Sequence, residues 1–528
     1  MAFYKRNPDI IIRNGTVVDG TGKLPYFADI AIIADRIDYI GNLKDVHAPL
    51  EIDARGKYVT PGFIDCHTHS DRSILDHPEC TNALYQGVTT QVVGNCGNSL
   101  MPEAAPDGTY PDGCMGKLLD TVQEAGPSMN TAWLCGHNTL RNMANLFTTD
   151  YTEEQFAVME KFLREALDAG YFGLSTGLEF IPGIVSRPEE VERLAAVAVE
   201  YDANYSTHMR DEGYYVLEAV NEFLNVIRKT GLRGTVSHLN IKYDNGVPDD
   251  YLFKGMQMLK DARNIEHLNV YCDMLPNCFA PGKAMALLPP WLYQEGWDKA
   301  KEILADPIGR EKVKNDMDRY WRFLAKGQWD RILYVTCPYI EGVSQTPYPQ
   351  LVEQYGKAPV DVFLDIIMAA PTLEMANSVG IRGVVFHEQI LLDSVVKDPI
   401  YMWQTDTGVY PEDPAGASGI HNFMSMSQFF IRYVRELGAI SIEDAVKKVG
   451  SVPAQHFMLE DRGILAPGKY ADINVFNIHD LKIRATFQDP SRCSEGMYYV
   501  LVNGQPVIAE GKYTGARAGR VLRHLPKE

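Results

Sequence analysis

Two histidines one residue apart, His67-Thr68-His69, follow the apolar run Pro61-Gly62-Phe63-Ile64. In an extended chain residues i and i+2 project to the same side, so the two imidazoles converge on one point. Neutral imidazole is a common ligand of divalent cations. Further groups of this kind recur, each at or just past the end of a strand-length apolar run: Cys96 in Gly94-Asn95-Cys96-Gly97, His137, His208, His238 and Asp406. A lone His-x-His can be two unrelated histidines, but ligand types at the ends of five or six different runs are hard to obtain by chance. Imidazole, thiolate and carboxylate together suit Zn²⁺, with Mn²⁺, Fe²⁺ or Co²⁺ admitted. Cys66 lies between ligands in sequence but points the other way along an extended strand, so it reads as packing.

The elements that must position these groups follow from periodicity. Eight runs read as strands: Gly62–His67, Thr89–Gly94, Ala132–Gly136, Phe172–Thr176, Ala203–His208, Gly234–His238, Val270–Leu275 and Tyr401–Asp406. Helix-like stretches separate them, such as Glu189 to Tyr201 and Tyr215 to Thr230. Eight strands with crossover helices predict an α/β fold, a (β/α)8 TIM barrel, whose chemistry gathers at the C-terminal mouth. The seventh and eighth runs are too far apart for one crossover, which predicts an insertion over about residues 281–371. Before residue 60, Asp9-Ile-Ile-Ile-Arg13 with Asn14-Gly15 gives a strand and hairpin signal, and Ala471 to Phe476 and Tyr499 to Gly504 do the same near the other end. The two ends are expected to meet in one small β-sandwich domain, residues 1–60 with 460–528, beside a barrel of residues 61–459.

Composition bounds the partners. The 528 residues carry a net charge of −19 with no Lys/Arg block, which argues against nucleic acid and anionic membranes; the expected partner is a small-molecule substrate. No run approaches the ~18 apolar residues of a membrane span. The N-terminal stretch has no apolar signal region, and nine scattered cysteines fit reduced thiols in the cytoplasm. Homo-oligomerisation stays open.

The motifs PGFIDCHTHSD, QGVTTQVVGNCG, GHNTLR, GLSTGLEF, THMRDEG, VSHLN, ALLPPW, RYVREL and DRGILAPGKYADINVF through EGKYTGARAGRVLR run nearly end to end. With them the chain resembles the D-aminoacylase (N-acyl-D-amino-acid deacylase) family of the amidohydrolase superfamily. The resemblance implies a distorted barrel plus a small β-sandwich. It implies that His67 and His69 bind one metal position, that Cys96 can bridge two, and that His208 and His238 hold the tighter one, so one or two ions per chain are expected. Asp406 matches the family's catalytic aspartate, here in Thr405-Asp406-Thr407. Strand four has no lysine to carry a bridging carboxylate, which fits a cysteine-bridged site. A bound cation lowers the pKa of water from ~15.7 to about 7; Asp406 is then expected to take the proton and return it to the leaving group. His137, Arg210 and Asp211 are candidate helpers, Arg210 as a substrate contact. His137 reads equally as a packed barrel histidine, and Arg210 with Asp211 as an ion pair orienting His208. His77, His387, His421 and His456 read as structural or surface residues.

D-aminoacylases hold a free carboxylate with cationic and phenolic groups. Aligned by motif, those positions carry Phe180, Asn240 (with Lys242 two residues on), Asn277 and Asn422. Amides both donate and accept and suit neutral carbonyl or hydroxyl groups better than an anion, which prefers charged partners. Two enzymatic readings follow: a deacylase-like C–N hydrolase whose carboxylate grip is replaced, or a cyclohydrolase opening a neutral ring. That ring is a cyclic amide or imide, or a cyclic 1,3-diketone such as dihydrophloroglucinol, cleaved at a C–C bond. A metal-binding relative without catalysis is a third reading, and the retained Asp406 speaks against it.

Overall fold

The structure is a computed structural model; it describes residues 4, 6–241, 247–248, 250–293, 295–317, 324, 327–344, 346–385, 389–412, 419–487 and 489–524. Lys242 and His387 lie outside the described residues.

Eight parallel strands form one sheet in chain order: Phe63–Asp65, Val88–Val93, Asn130–Gly136, Gly173–Gly177, Asn204–His208, Arg233–Val236, Val270–Met274 and Tyr401–Trp403. They are called here the first to eighth barrel strands. Their side chains are almost all buried, as expected where both faces of a parallel sheet are covered. Past the ends of the first and eighth strands, Thr68 bridges Thr407 in parallel and the His69 N–H donates to the Thr407 carbonyl at 2.7 Å. The sheet thus closes into a barrel where His67, His69 and Asp406 sit.

The crossover helices carry local start and stop signals. Helix Glu153–Asp168 opens with a capping box between Thr152 and Gln155. Pro188 starts Pro188–Val199 at the position that needs no donor. Gly231, in the left-handed region, ends Val216–Thr230. Among the described residues no helix is long and apolar enough to cross a membrane.

The chain ends do meet. Tyr58–Pro61 pairs with Ile473–Phe476, joining N- and C-terminal strands into one continuous nine-stranded sheet. The strands expected from both chain ends share this sheet, with Ile10, Ile12, Ile30, Val59, Ile473 and Leu501 packed in one core. The inserted region differs from expectation in extent. Its three-stranded sheet pairs Phe279–Lys283 with Gly380–Val385, so the insertion continues past residue 371 before helix Gln389–Val395 returns to the barrel. It has its own apolar core around Trp297, Trp329, Phe363 and Ile367, which is why its far end must return to its start.

Candidate metal centre

All the groups singled out as ligands lie at or just past the C-terminal ends of barrel strands, and the fold brings their donor atoms together. His67, His69 and Cys96 form one group with ligand atoms within 4.8 Å of one another, and Cys96, His208 and His238 form a second. Cys96 Sγ is 3.3 Å from His67 Nε2 and 3.5 Å from His238 Nε2. His208 Nδ1 is 3.0 Å from His238 Nε2. Asp406 Oδ1 stands 3.2 Å from His69 Nε2 and 3.6 Å from His67 Nε2.

The backbone is bent to achieve this. Cys96, His238 and Asp406 have φ of 52°, 34° and 53°; left-handed backbone costs a non-glycine residue roughly 1–2 kcal/mol and clusters at functional sites. Each bend turns a side chain inward at the point where its strand stops. The Cys96 loop also needs its glycines. A Cβ on Gly177 would lie 2.0 Å from the Cys96 carbonyl oxygen, and one on Gly97 would lie 2.4 Å from the Gly177 nitrogen. The second and fourth strands can approach closely enough to place Cys96 only because neither residue has a side chain.

The donor set fits divalent cations. Bonds of ~2.0–2.3 Å around a tetrahedral ion give ligand–ligand edges of about 3.3–3.6 Å, close to the separations above. Burial pushes the Cys96 thiol up, but the field of His67 and hydrogen bonds to His208 and His238 outweigh it and hold the thiol well below its usual range. A thiolate is the form that binds metal. Burial likewise raises the Asp406 carboxyl, yet His69 and His67 hold it below the ordinary carboxylate range. Two positions sharing Cys96 are therefore available, one with His67 and His69 and one with His208 and His238.

The other candidates have different surroundings. His137 starts helix His137–Met143, and its Nε2 lies 2.6 Å from Glu190 Oε1. Arg141 donates to both Glu190 oxygens at 2.7 and 2.6 Å, making a fully buried trio, while His137 Nδ1 is buried without a hydrogen-bond partner among the described residues. Arg210 does not pair with Asp211 to orient His208. Its guanidinium forks onto Glu222 and donates to the Ile184 carbonyl, and Asp211 accepts from the Gly213 and Tyr215 backbone. The Phe180 ring lies 4.3 Å from the His208 ring. Asn422 Oδ1 accepts from the Gly408 N–H, steadying the turn after Asp406. Cys66 is buried with its thiol toward the Trp403 carbonyl, a packing position.

The amidohydrolase family model matches residues 50–508. The chain belongs to the amidohydrolase family. This amidohydrolase is 31% identical over 530 residues to the N-acyl-D-glutamate deacylase of Alcaligenes xylosoxydans xylosoxydans, covering 98% of this chain and 96% of the relative. The D-aminoacylase of the same organism is 28% identical over 527 residues, covering 97% of each. Among solved structures, N-acyl-D-glutamate deacylase from Bordetella bronchiseptica, complexed with zinc and a phosphonate mimic of the tetrahedral intermediate, matches with a TM-score of 0.80. Identity there is 27%, covering 98% of this chain and 100% of that one. A D-aminoacylase structure with a binuclear metal centre matches at 0.79 and 26% identity, covering 98% and 99%. The amidohydrolase is thus a metal-dependent hydrolase of the D-aminoacylase type.

Sequence reasoning missed the carboxylates of this amidohydrolase's centre. Glu179 Oε2 is 2.9 Å from His208 Nε2, Glu212 Oε1 is 2.5 Å from His238 Nδ1, and Asp273 Oδ2 is 3.4 Å from His67 Nδ1. Asp273 also accepts the His238 N–H at 2.6 Å. Asp65, its carboxyl pushed up to about 7 by burial, accepts from the Thr405 N–H and hydroxyl beside Asp406. The available signal was an acidic residue within or just after an apolar run, as in Gly177-Leu178-Glu179 and Cys272-Asp273-Met274.

Proposed function

We propose that this amidohydrolase hydrolyses a neutral cyclic carbonyl substrate, opening the ring: a cyclic 1,3-diketone such as dihydrophloroglucinol, cleaved at a C–C bond, or a cyclic imide. What supports the reading is the hydrogen-bond state of two amides, one just past the sixth barrel strand and one just past the seventh. Asn240 Oδ1 accepts from the Ile241 N–H at 2.9 Å, so its buried Nδ2 is the end left without a partner among the described residues. The Ser425 hydroxyl donates to the His421 carbonyl at 2.9 Å, so it must accept from Asn277 Nδ2 at 2.7 Å. That leaves buried Asn277 Oδ1 as an acceptor without a partner among the described residues.

A buried donor or acceptor left unpaired is costly unless a ligand completes it. A carboxylate has only acceptors and would face the Asn277 oxygen without a proton to share. The enol form of a 1,3-diketone offers one acceptor and one donor. Arg210, the cation expected to contact substrate, is taken up by Glu222.

His67, His69, Cys96, His208 and His238 would hold the divalent cation, which when bound supplies an acidified water and polarises a carbonyl. Asp406 accepts the water proton. The water oxygen joins the ring carbonyl carbon, and the adjacent ring C–C bond breaks. Its electron pair passes to the carbon flanked by the second carbonyl, and Asp406 returns the proton there. The product is an open-chain keto acid. Phe180 and the Asn240 and Asn277 amides hold the ring in place.

The relatives' names favour N-acyl-D-amino acids as the competing substrate class. The metal-loaded enzyme should be incubated with dihydrophloroglucinol, a cyclic imide and N-acetyl-D-glutamate, and the products followed by mass spectrometry. Ring-opened acid from the diketone is expected. Efficient release of free D-amino acid with every ring left intact would sink the proposal.

A further inference from the structure

The two ring nitrogens of His208 have different neighbours. Nδ1 is 3.0 Å from His238 Nε2, within the ligand group that contains Cys96, and Nε2 is 2.9 Å from Glu179 Oε2. A neutral imidazole has one N–H and one lone pair, and the partner of one nitrogen decides the role of the other. We infer that Glu179 is the positioning residue of this centre. By accepting the Nε2–H it leaves the Nδ1 lone pair of His208 for a cation held with Cys96 and His238.

The other two histidines sharpen the point. His67 and His238 turn Nε2 toward Cys96 and Nδ1 toward Asp273 and Glu212. His208 presents the opposite nitrogen, so its carboxylate has to stand on the opposite edge of the ring. The loop after the fourth strand supplies it. The Leu178 N–H donates to the His208 carbonyl at 3.0 Å, so Glu179 springs from backbone already tied to the residue it contacts. The loop then turns through Ile184 N–H to Phe180 carbonyl at 2.7 Å, and Arg210 holds the Ile184 carbonyl at 3.1 Å. Phe180 lies against the His208 ring at 4.3 Å. His208 and Glu179 are each less than a tenth exposed, so little water competes for the bond. The inference concerns metal affinity and holds whichever substrate is turned over.

The test is a Zn²⁺ competition titration against a chromophoric chelator, with metal analysis at saturation, on the wild type, Glu179→Gln and Glu179→Ala. Loss of a carboxylate behind a ligating histidine typically weakens metal binding by about 10–100-fold. That loss is expected for Glu179→Ala at one position only, with the full number of ions recovered at high Zn²⁺. Glu179→Gln, whose amide oxygen can still accept the Nε2–H, is expected to fall between Ala and wild type. It also carries the test alone should the alanine variant fail to fold. Wild-type affinity in the variants overturns the inference. So does a lower ion count at saturation, because Glu179 would then be a ligand, through the group it forms with His208 and Glu212.

Discussion

Replacing Asp406 with Asn removes one charge and one basic site while keeping size and backbone. The residue sits at φ 53°, a region that Asn tolerates and Ala does not, at a cost of roughly 1–2 kcal/mol, so the amide is the cleaner probe. Asp406 Oδ1 lies 3.2 Å from His69 Nε2 and 3.6 Å from His67 Nε2, close to any water shared by those ligands. Cys96, His208 and His238 form a complete group without it. A positioned proton carrier contributes about 10²–10⁴-fold, which is roughly 2.7–5.5 kcal/mol of barrier at 1.36 kcal/mol per decade. The expected result for Asp406→Asn is therefore a fall of that size in kcat, a smaller change in KM and nearly full metal content. Steady-state kinetics paired with metal analysis on the same samples decides it. A kcat within a few-fold of wild type would refute the assignment of proton transfer to Asp406. Recovery of kcat on adding excess metal would instead assign the residue to holding the cation.

Two further outcomes concern buried charge away from the centre. Glu190→Ala leaves the Arg141 guanidinium buried without its carboxylate, which should cost about 3–5 kcal/mol, measured as a lower urea midpoint; Arg141→Met together with Glu190→Ala should recover part of the loss. His456 Nε2 lies 2.7 Å from the Thr235 hydroxyl of the sixth barrel strand, and burial, helped by Arg233 and Arg263, lowers it to about 3. The folded protein keeps it neutral while the unfolded chain takes a proton below about 6.5, so its contribution is full at neutral pH and is lost as pH falls. Between pH 6.5 and 4.5 that loss is about 2 kcal/mol. The metal-free His456→Gln variant should lack this part of the acid slope in urea unfolding, and identical slopes would show that His456 does not carry it.

Much of this centre is legible in the residues alone. His67, His69, Cys96, His208, His238 and Asp406 each terminate an apolar run, and the eight runs recur as the eight strands of the barrel. Period and residue type are local properties, so the chain order of ligands and the barrel can be read together. The insertion shows as an excess of length, but its end at the strand Gly380–Val385 does not, because antiparallel pairing with Phe279–Lys283 spans about a hundred residues.

By itself, then, the sequence determined the donor types and their places at strand ends. Only the tertiary structure decided what each polar group faces. Glu179, Glu212 and Asp273 read as ordinary acidic residues until barrel closure sets them against His208, His238 and His67. Arg210 reads as a substrate contact until helix Val216–Thr230 brings Glu222 beneath it. Which end of the Asn277 amide is free depends on Ser425, 148 positions away. The physical reason is that a hydrogen bond is set by direction over about 3 Å, and direction between distant segments exists only once the chain has folded.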